Sequence, residues 1–195
     1  MLNQLKTTIR TAITPLAKAI PLSPNALTLV GLAISIISAA AFARGELIMG
    51  GTLILVSGVF DILDGAVARA RGRMTAFGGF LDSVCDRYAD AAIFIGIMYG
   101  LLAGNISAPA LFGIPLWLWC AIALIGSMLV SYTRARAESA GVENMNIGIA
   151  ERPERMILLA VGAFCGLIIW AIAAIVILTH ITIIQRVLYA KKHLV

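Results

Sequence analysis

Long apolar runs, each closed by a short polar or glycine-containing break, fill nearly all of this chain beyond residue 24. A helix needs roughly 20 apolar residues to cross a bilayer. Six runs suit that purpose, at about 25–44, 47–70, 76–103, 115–137, 153–167 and 169–190. The last two are the hardest to separate, because residues 156–184 are almost continuously apolar. Gly162, Cys165 and Gly166 supply the turn that would divide them. Ahead of the first run, Leu2, Leu5, Ile9, Ile13, Leu16 and Ile20 recur at three- and four-residue steps and make one apolar helical face. This predicts an amphipathic helix over 1–21 in the membrane interface, bent or ended by Pro15 and Pro21. The pattern as a whole predicts an all-α integral membrane protein: an interfacial helix, then a six-helix bundle over 22–195, in one domain of 1–195.

Composition supports this. The chain is 61% hydrophobic and 13% charged, with a mean hydropathy of +0.97, where a soluble domain carries roughly a quarter charged residues. A soluble core cannot hide that much apolar surface. The net charge of +5 fits cytoplasmic loops and anionic headgroups better than nucleic acid. Its placement alternates: Lys6, Arg10 and Lys18; then Arg69, Arg71 and Arg73; then Arg134, Arg136, Arg152 and Arg155; then Arg186, Lys191 and Lys192. The intervening connections near 104–114 and 162–170 hold no Lys or Arg. By the positive-inside rule both termini and the longest polar loop, about 138–150, face the cytoplasm. No cleavable signal peptide is visible, since the basic residues of the N-terminus are spread along an amphipathic stretch. Cys85, Cys120 and Cys165 share no metal-ligand spacing and read as small buried residues.

Against this apolar background five aspartates stand out: Asp61, Asp64, Asp82, Asp86 and Asp90. Ionisable groups at membrane depth are costly and mark function by default. Asp61 and Asp64 are spaced i,i+3 and Asp82 and Asp86 i,i+4, so each pair shares a helical face. Asp64 and Asp82 each lie nine residues from Arg73, while Asp61 and Asp86 lie twelve and thirteen away. With a short turn near Arg73 the two pairs reach matching depths on antiparallel spans. Four facing carboxylates repel one another unless they take up protons, pair with arginines such as Arg69, Arg71, Arg73 and Arg87, or bind a cation. All-oxygen ligation selects a hard ion, Mg²⁺ or Mn²⁺, and this much charge suits two. Asp90 is rotated away and fits a structural role equally well. Gly65, Ala68 and Gly78 lie beside the aspartates; they either leave room for a flat ligand or let helices pack closely. Arg69 is placed to meet a phosphate or to anchor the span end.

Written out, the segment is Asp61-x2-Asp64-Gly65-x2-Ala68-Arg69-x8-Gly78-x3-Asp82-x3-Asp86. It resembles, without departure, the signature of the CDP-alcohol phosphotransferase family, and the six-span layout resembles that family over nearly the whole chain. Pro24-Asn25 with Thr28 is similar to the family's start of the first span. The resemblance implies that Asp61, Asp64, Asp82 and Asp86 hold the metals, that Asp86 is also the general base, and that Gly65, Ala68, Arg69 and Gly78 line the site for a CDP-lipid. It implies a homodimer as well.

Family members differ in the alcohol they accept. Here Asp82-Ser83-x2-Asp86-Arg87, Tyr132-Thr133-Arg134-Ala135-Arg136-Ala137-Glu138 and Glu151-Arg152-Pro153-Glu154-Arg155 resemble the branch that uses myo-inositol 1-phosphate. Arginine forks suit such a phosphomonoester, and Arg134, Arg136 and Arg155 are the expected contacts. Arg134 and Arg136 point to different faces, so one of them is expected to do more; Arg152, before Pro153, either joins the acceptor contacts or stays in water. The reaction implied is transfer of a phosphatidyl-type or archaetidyl group from CDP-diacylglycerol or CDP-archaeol to myo-inositol 1-phosphate, releasing CMP. Glycerol phosphate or serine as acceptor is the alternative within the family. A cation transporter is the alternative outside it, disfavoured because no charges continue the path across the membrane.

Overall fold

The computed structural model describes residues 19–143, 145 and 147–194. The interfacial helix expected over 1–21 falls almost wholly outside the described residues. Those that are described form six helices: α1 Pro24–Ala43, α2 Leu47–Ala70, α3 Ala76–Leu102, α4 Leu116–Ser139, α5 Arg152–Phe164 and α6 Ile168–Leu194. Their bounds follow local chemistry. Ser23 caps α1 by accepting from the Ala26 N–H at 3.2 Å, with Pro24 in the first turn. Thr75 caps α3 by accepting from the Gly78 N–H at 3.0 Å. Gly72, at φ +60°, supplies the left-handed residue of the α2–α3 turn. The break expected inside the last apolar stretch is present, with Cys165 and Gly166 between α5 and α6.

Four helices, α1, α2, α4 and α6, are long and apolar enough to cross a membrane. The other two depart for plain reasons. The 27 residues of α3 include Asp82, Asp86, Arg87 and Asp90, which lower its hydropathy. The 13 residues of α5 extend only about 20 Å at the helical rise.

Each helix packs mainly against two others, and the pairs α1–α2, α2–α5, α5–α6, α6–α4, α4–α3 and α3–α1 close into a ring. Phe42, Phe94, Ile97, Leu159 and Ile172 are among the buried side chains that fill its main core. Small residues bring α1 against its neighbours. The Ser38 hydroxyl donates to the Gly50 carbonyl at 2.8 Å, and Ser35 and Ser57 share a hydrogen bond of 2.7 Å. A Cβ on Gly96 of α3 would strike the Ala39 carbonyl of α1, so only glycine permits that approach. One consequence matters for function. The aspartate-bearing helices α2 and α3 both pack on α1 and hardly on each other, so a crevice separates them, and the carboxylates line it.

Candidate active site in the crevice between two aspartate helices

The expectation of matched depth holds. One carboxylate oxygen each from Asp61, Asp64 and Asp82 can be chosen so that all lie within 4.8 Å of one another. Asp64 is buried and accepts a 2.5 Å hydrogen bond from the Thr28 hydroxyl, which fixes the α2 carboxylate from α1. Asp82 Oδ1 is buried and has no hydrogen-bond partner among the described residues. A buried carboxylate oxygen with no donor is costly. Three converging carboxylates, one of which carries a buried oxygen without a donor, fit a hard divalent cation such as Mg²⁺ or Mn²⁺.

Asp86 stands beside this triad with a different neighbour. Arg152, from the start of α5, places Nη1 at 2.8 Å from Asp86 and 3.5 Å from Asp61, and its Nε at 3.1 Å from Asp90. Arg87 adds a longer contact to Asp86 at 3.5 Å. Among the described residues the cations paired with these aspartates are therefore Arg87, Arg152 and Arg155. The Arg71 guanidinium instead donates to the Leu22 and Ile20 carbonyls, tying the end of α2 to the segment before α1. Of the two readings of Arg152, the one that leaves it in water does not hold. Pro153 does begin α5 as expected, but the helix start is aimed into the crevice, and the guanidinium, 17% exposed, is drawn to three carboxylates.

On one side of the triad lies a cavity of about 170 Å³ walled by Asn25, Thr28, Gly65, Ala68, Arg69 and Gly78, with Asp64 and Asp82 at its edge. Added bulk at either glycine would crowd this wall. A Cβ on Gly65 would come within 3.0 Å of Arg69 Nη1, and one on Gly78 within 3.1 Å of Thr75 Oγ1 and 3.4 Å of Asn25 Oδ1.

On the other side a cavity of about 190 Å³ gathers Arg87, Arg134, Arg152, Arg155 and Arg186 around Asp86. Of the three arginines expected here, Arg134 and Arg155 line it. Arg136 does not: it lies on another face of α4 and donates to Ser139 Oγ at 3.0 Å. Arg155 is held tightly, with Nη2 at 2.7 Å from Asp90 and Nη1 donating to the Ala150 carbonyl at 2.7 Å. That pairing fits the structural reading of Asp90. Arg186, which joins the cavity from α6, reads in the sequence as part of the basic end of the last span; its burial is the feature a linear pattern does not carry. Glu151 stands between Arg134 and Arg186, at 3.8 and 3.7 Å.

A third opening, about 220 Å³ and mostly apolar, runs between α2 and α5 along Ile54, Leu55, Ile62, Met156 and Ile157. Asp61 and Arg152 also line it, so an apolar groove leads to the carboxylates.

The chain has close relatives. It is 43% identical to the archaetidylinositol phosphate synthase of Methanothermobacter thermautotrophicus over 200 residues, covering 100% of this chain and 96% of that one. It is 38% identical to the enzyme of the same name from Pyrococcus horikoshii, covering 100% and 98%. Its fold is similar to the crystal structure of Mycobacterium tuberculosis phosphatidylinositol phosphate synthase with CDP-DAG bound, at a TM-score of 0.78 and 31% identity over 91% of this chain and 92% of that one. The same enzyme in complex with manganese and citrate matches at a TM-score of 0.79 and 32% identity, over 91% and 88%. The family model of CDP-alcohol phosphatidyltransferases matches residues 21–189, and with the aspartate crevice between its two cavities this chain belongs to that family.

Proposed function

We propose that this protein transfers a lipid-bearing phosphate from a CDP-lipid, of archaeol or diacylglycerol, to myo-inositol 1-phosphate, giving a lipid-linked inositol phosphate and CMP. The observation that carries the reading is the junction of two cavities at the aspartates. One is small-walled and suits a nucleotide; the other is arginine-rich and suits a phosphomonoester. The relatives named archaetidylinositol phosphate synthase support the acceptor and favour the archaetidyl group.

Asp61, Asp64, Asp82 and Asp86 would hold divalent metal, Mg²⁺ or Mn²⁺ and in this reading two ions, which would neutralise the pyrophosphate and the departing CMP. The chain's own groups do the rest. Gly65, Ala68 and Gly78 leave space for the cytidine diphosphate, and Arg69 lies where it meets a phosphate. The apolar groove between α2 and α5 takes the lipid chains, so the reacting phosphate is drawn toward Asp61. Arg134, Arg155 and Arg186 hold the acceptor's phosphate; Arg136, turned onto Ser139, stands outside that cavity. Asp86, steadied by Arg152 at 2.8 Å, accepts the proton of the attacking hydroxyl. The hydroxyl oxygen bonds to the lipid-bearing phosphorus as the phosphorus–oxygen bond to CMP breaks.

In this reading all six helices cross the bilayer, with α3 admitted because its charges face the crevice and α5 because its polar start sits in the headgroup region. The arginine-rich end, with both termini, faces the cytoplasm. The chain forms one domain and works as a homodimer, as the family resemblance implies. The deciding experiment supplies membranes containing the protein with CDP-archaeol or CDP-diacylglycerol and, in turn, inositol phosphate, glycerol phosphate and serine, and measures CMP. Release with inositol phosphate is expected; release with serine or glycerol phosphate alone would refute the acceptor. Metal uptake into vesicles without CDP-lipid turnover would favour a transporter.

A further inference from the structure

Arg152 reaches the aspartates because the chain immediately before it is gripped from α6, and the grip centres on Thr182. This side chain is fully buried. Its hydroxyl oxygen accepts from two consecutive backbone N–H groups, Ile149 and Ala150, each at 3.2 Å. One turn further along the same face of α6, Arg186 Nε donates to the Ile147 carbonyl at 2.7 Å and its Nη1 donates to the Val130 carbonyl of α4. From the other side Arg155 Nη1 donates to the Ala150 carbonyl at 2.7 Å. The segment crosses α6 so closely that a Cβ on Gly148, itself at φ +129°, would strike Thr182 Cγ2. Both the turn and the clearance thus call for glycine.

We infer that Thr182 is a positioning residue: by holding the Gly148–Ala150 strap against α6 it aims Arg152 at Asp86 and sets the shape of the acceptor cavity. Thr182 itself does not line that cavity, so it acts through the strap. The two residues that follow the strap, Glu151 and Arg152, both line it. The inference deepens the proposed function and rests on it for the identity of the acceptor, but the grip itself is a property of the fold.

The grip can be removed with little change of shape. Thr182→Val deletes the accepting oxygen and leaves one buried and one part-buried N–H group unpaired, whereas Thr182→Ser keeps the oxygen. Hydrogen exchange across 147–152 is expected to quicken about tenfold in Thr182→Val and to return to the wild-type rate in Thr182→Ser. In the CMP assay Thr182→Val should raise KM for inositol phosphate about tenfold and leave KM for the CDP-lipid within about twofold. Thr182→Ser should restore the first value. Gly148→Ala, which pushes the strap off Thr182, should give the same split, and it carries the test if Thr182→Val does not accumulate. Unchanged exchange in these variants would overturn the inference, as would a parallel rise of both KM values that Thr182→Ser does not relieve. Exchange needs no turnover. If the wild-type protein uses glycerol phosphate or serine instead, the acceptor reading falls while the exchange result still decides the grip.

Discussion

Arg152 Nη1 lies 2.8 Å from Asp86 Oδ1, joining the start of α5 to the one aspartate of the quartet that stands outside the Asp61–Asp64–Asp82 triad. The contact separates two tasks among neighbouring carboxylates. The triad offers oxygens to one point, while Asp86 is held by an arginine at the edge of the arginine-rich cavity. In the proposed reaction this is the carboxylate that receives the acceptor's proton.

Asp86→Asn is therefore expected to lower CMP release by about 10²–10⁴-fold, the usual contribution of a positioned base. The protein should still fold, because Arg152 keeps Asp90 at 3.1 Å and Asp61 at 3.5 Å. CMP release by purified protein, with the thermal midpoint in detergent as control, checks both halves. Full activity in this variant would remove Asp86 from the role of base.

The triad predicts a metal effect on stability as well as on turnover. A ligand bound only by the folded state raises its stability in proportion to the logarithm of ligand concentration over Kd. Mn²⁺ or Mg²⁺ should raise the thermal midpoint of the wild-type protein, and chelation should lower it and stop CMP release. Asp64→Asn and Asp82→Asn should lose most of the midpoint shift. The comparison is sharpest for Asp82, whose buried Oδ1 has no hydrogen-bond partner among the described residues.

The periodicity of this chain discloses most of its fold because lipid imposes one strong rule, long apolar helices, and the breaks between them are marked by Gly45, Gly72, Pro115 and Gly166. The aspartate crevice is legible for a related reason. Its residues lie within one helix–turn–helix, so spacing from Arg73 suffices to bring Asp64 and Asp82 to the same level. What a linear pattern does not carry is the ring order of the helices. Contacts between residues far apart in sequence, such as Arg152 with Asp86 and Arg186 with Ile147, depend on α5 and α6 closing that ring. The positive-inside pattern assigns those arginines to the membrane surface, and only the packing turns Arg152 and Arg186 inward.

Arg155 and Asp90 form the most buried ion pair described, at 2.7 Å with side-chain exposures of 3% and 4%. Removing Asp90 strands the Arg155 charge and costs about 3–5 kcal/mol, whereas removing Arg155 leaves Asp90 its contact with Arg152 at 3.1 Å and costs less. Asp90→Ala should lower the thermal midpoint markedly and Arg155→Ala by a smaller amount. The double variant should fall short of their sum, since the second change removes a charge already left unpaired. Additive losses would mean that the pair contributes little beyond its separate contacts.

The acceptor arginines give the most discriminating prediction, because two of them are separated by a single residue and differ in where they point. Arg134 lines the cationic cavity and lies 3.8 Å from Glu151, while Arg136 is turned onto Ser139 at 3.0 Å. If the cavity binds a phosphomonoester, losing one charge-assisted contact in Arg134→Ala should raise KM for inositol phosphate about tenfold. Arg136→Ala should stay within about twofold, because screening leaves an outward-facing charge little influence at that distance. A general attraction of anionic substrate to a basic membrane face would instead make the two variants alike, and would weaken both as salt is raised. Measuring KM for the acceptor in both variants at low and high salt separates a built pocket from a diffuse field.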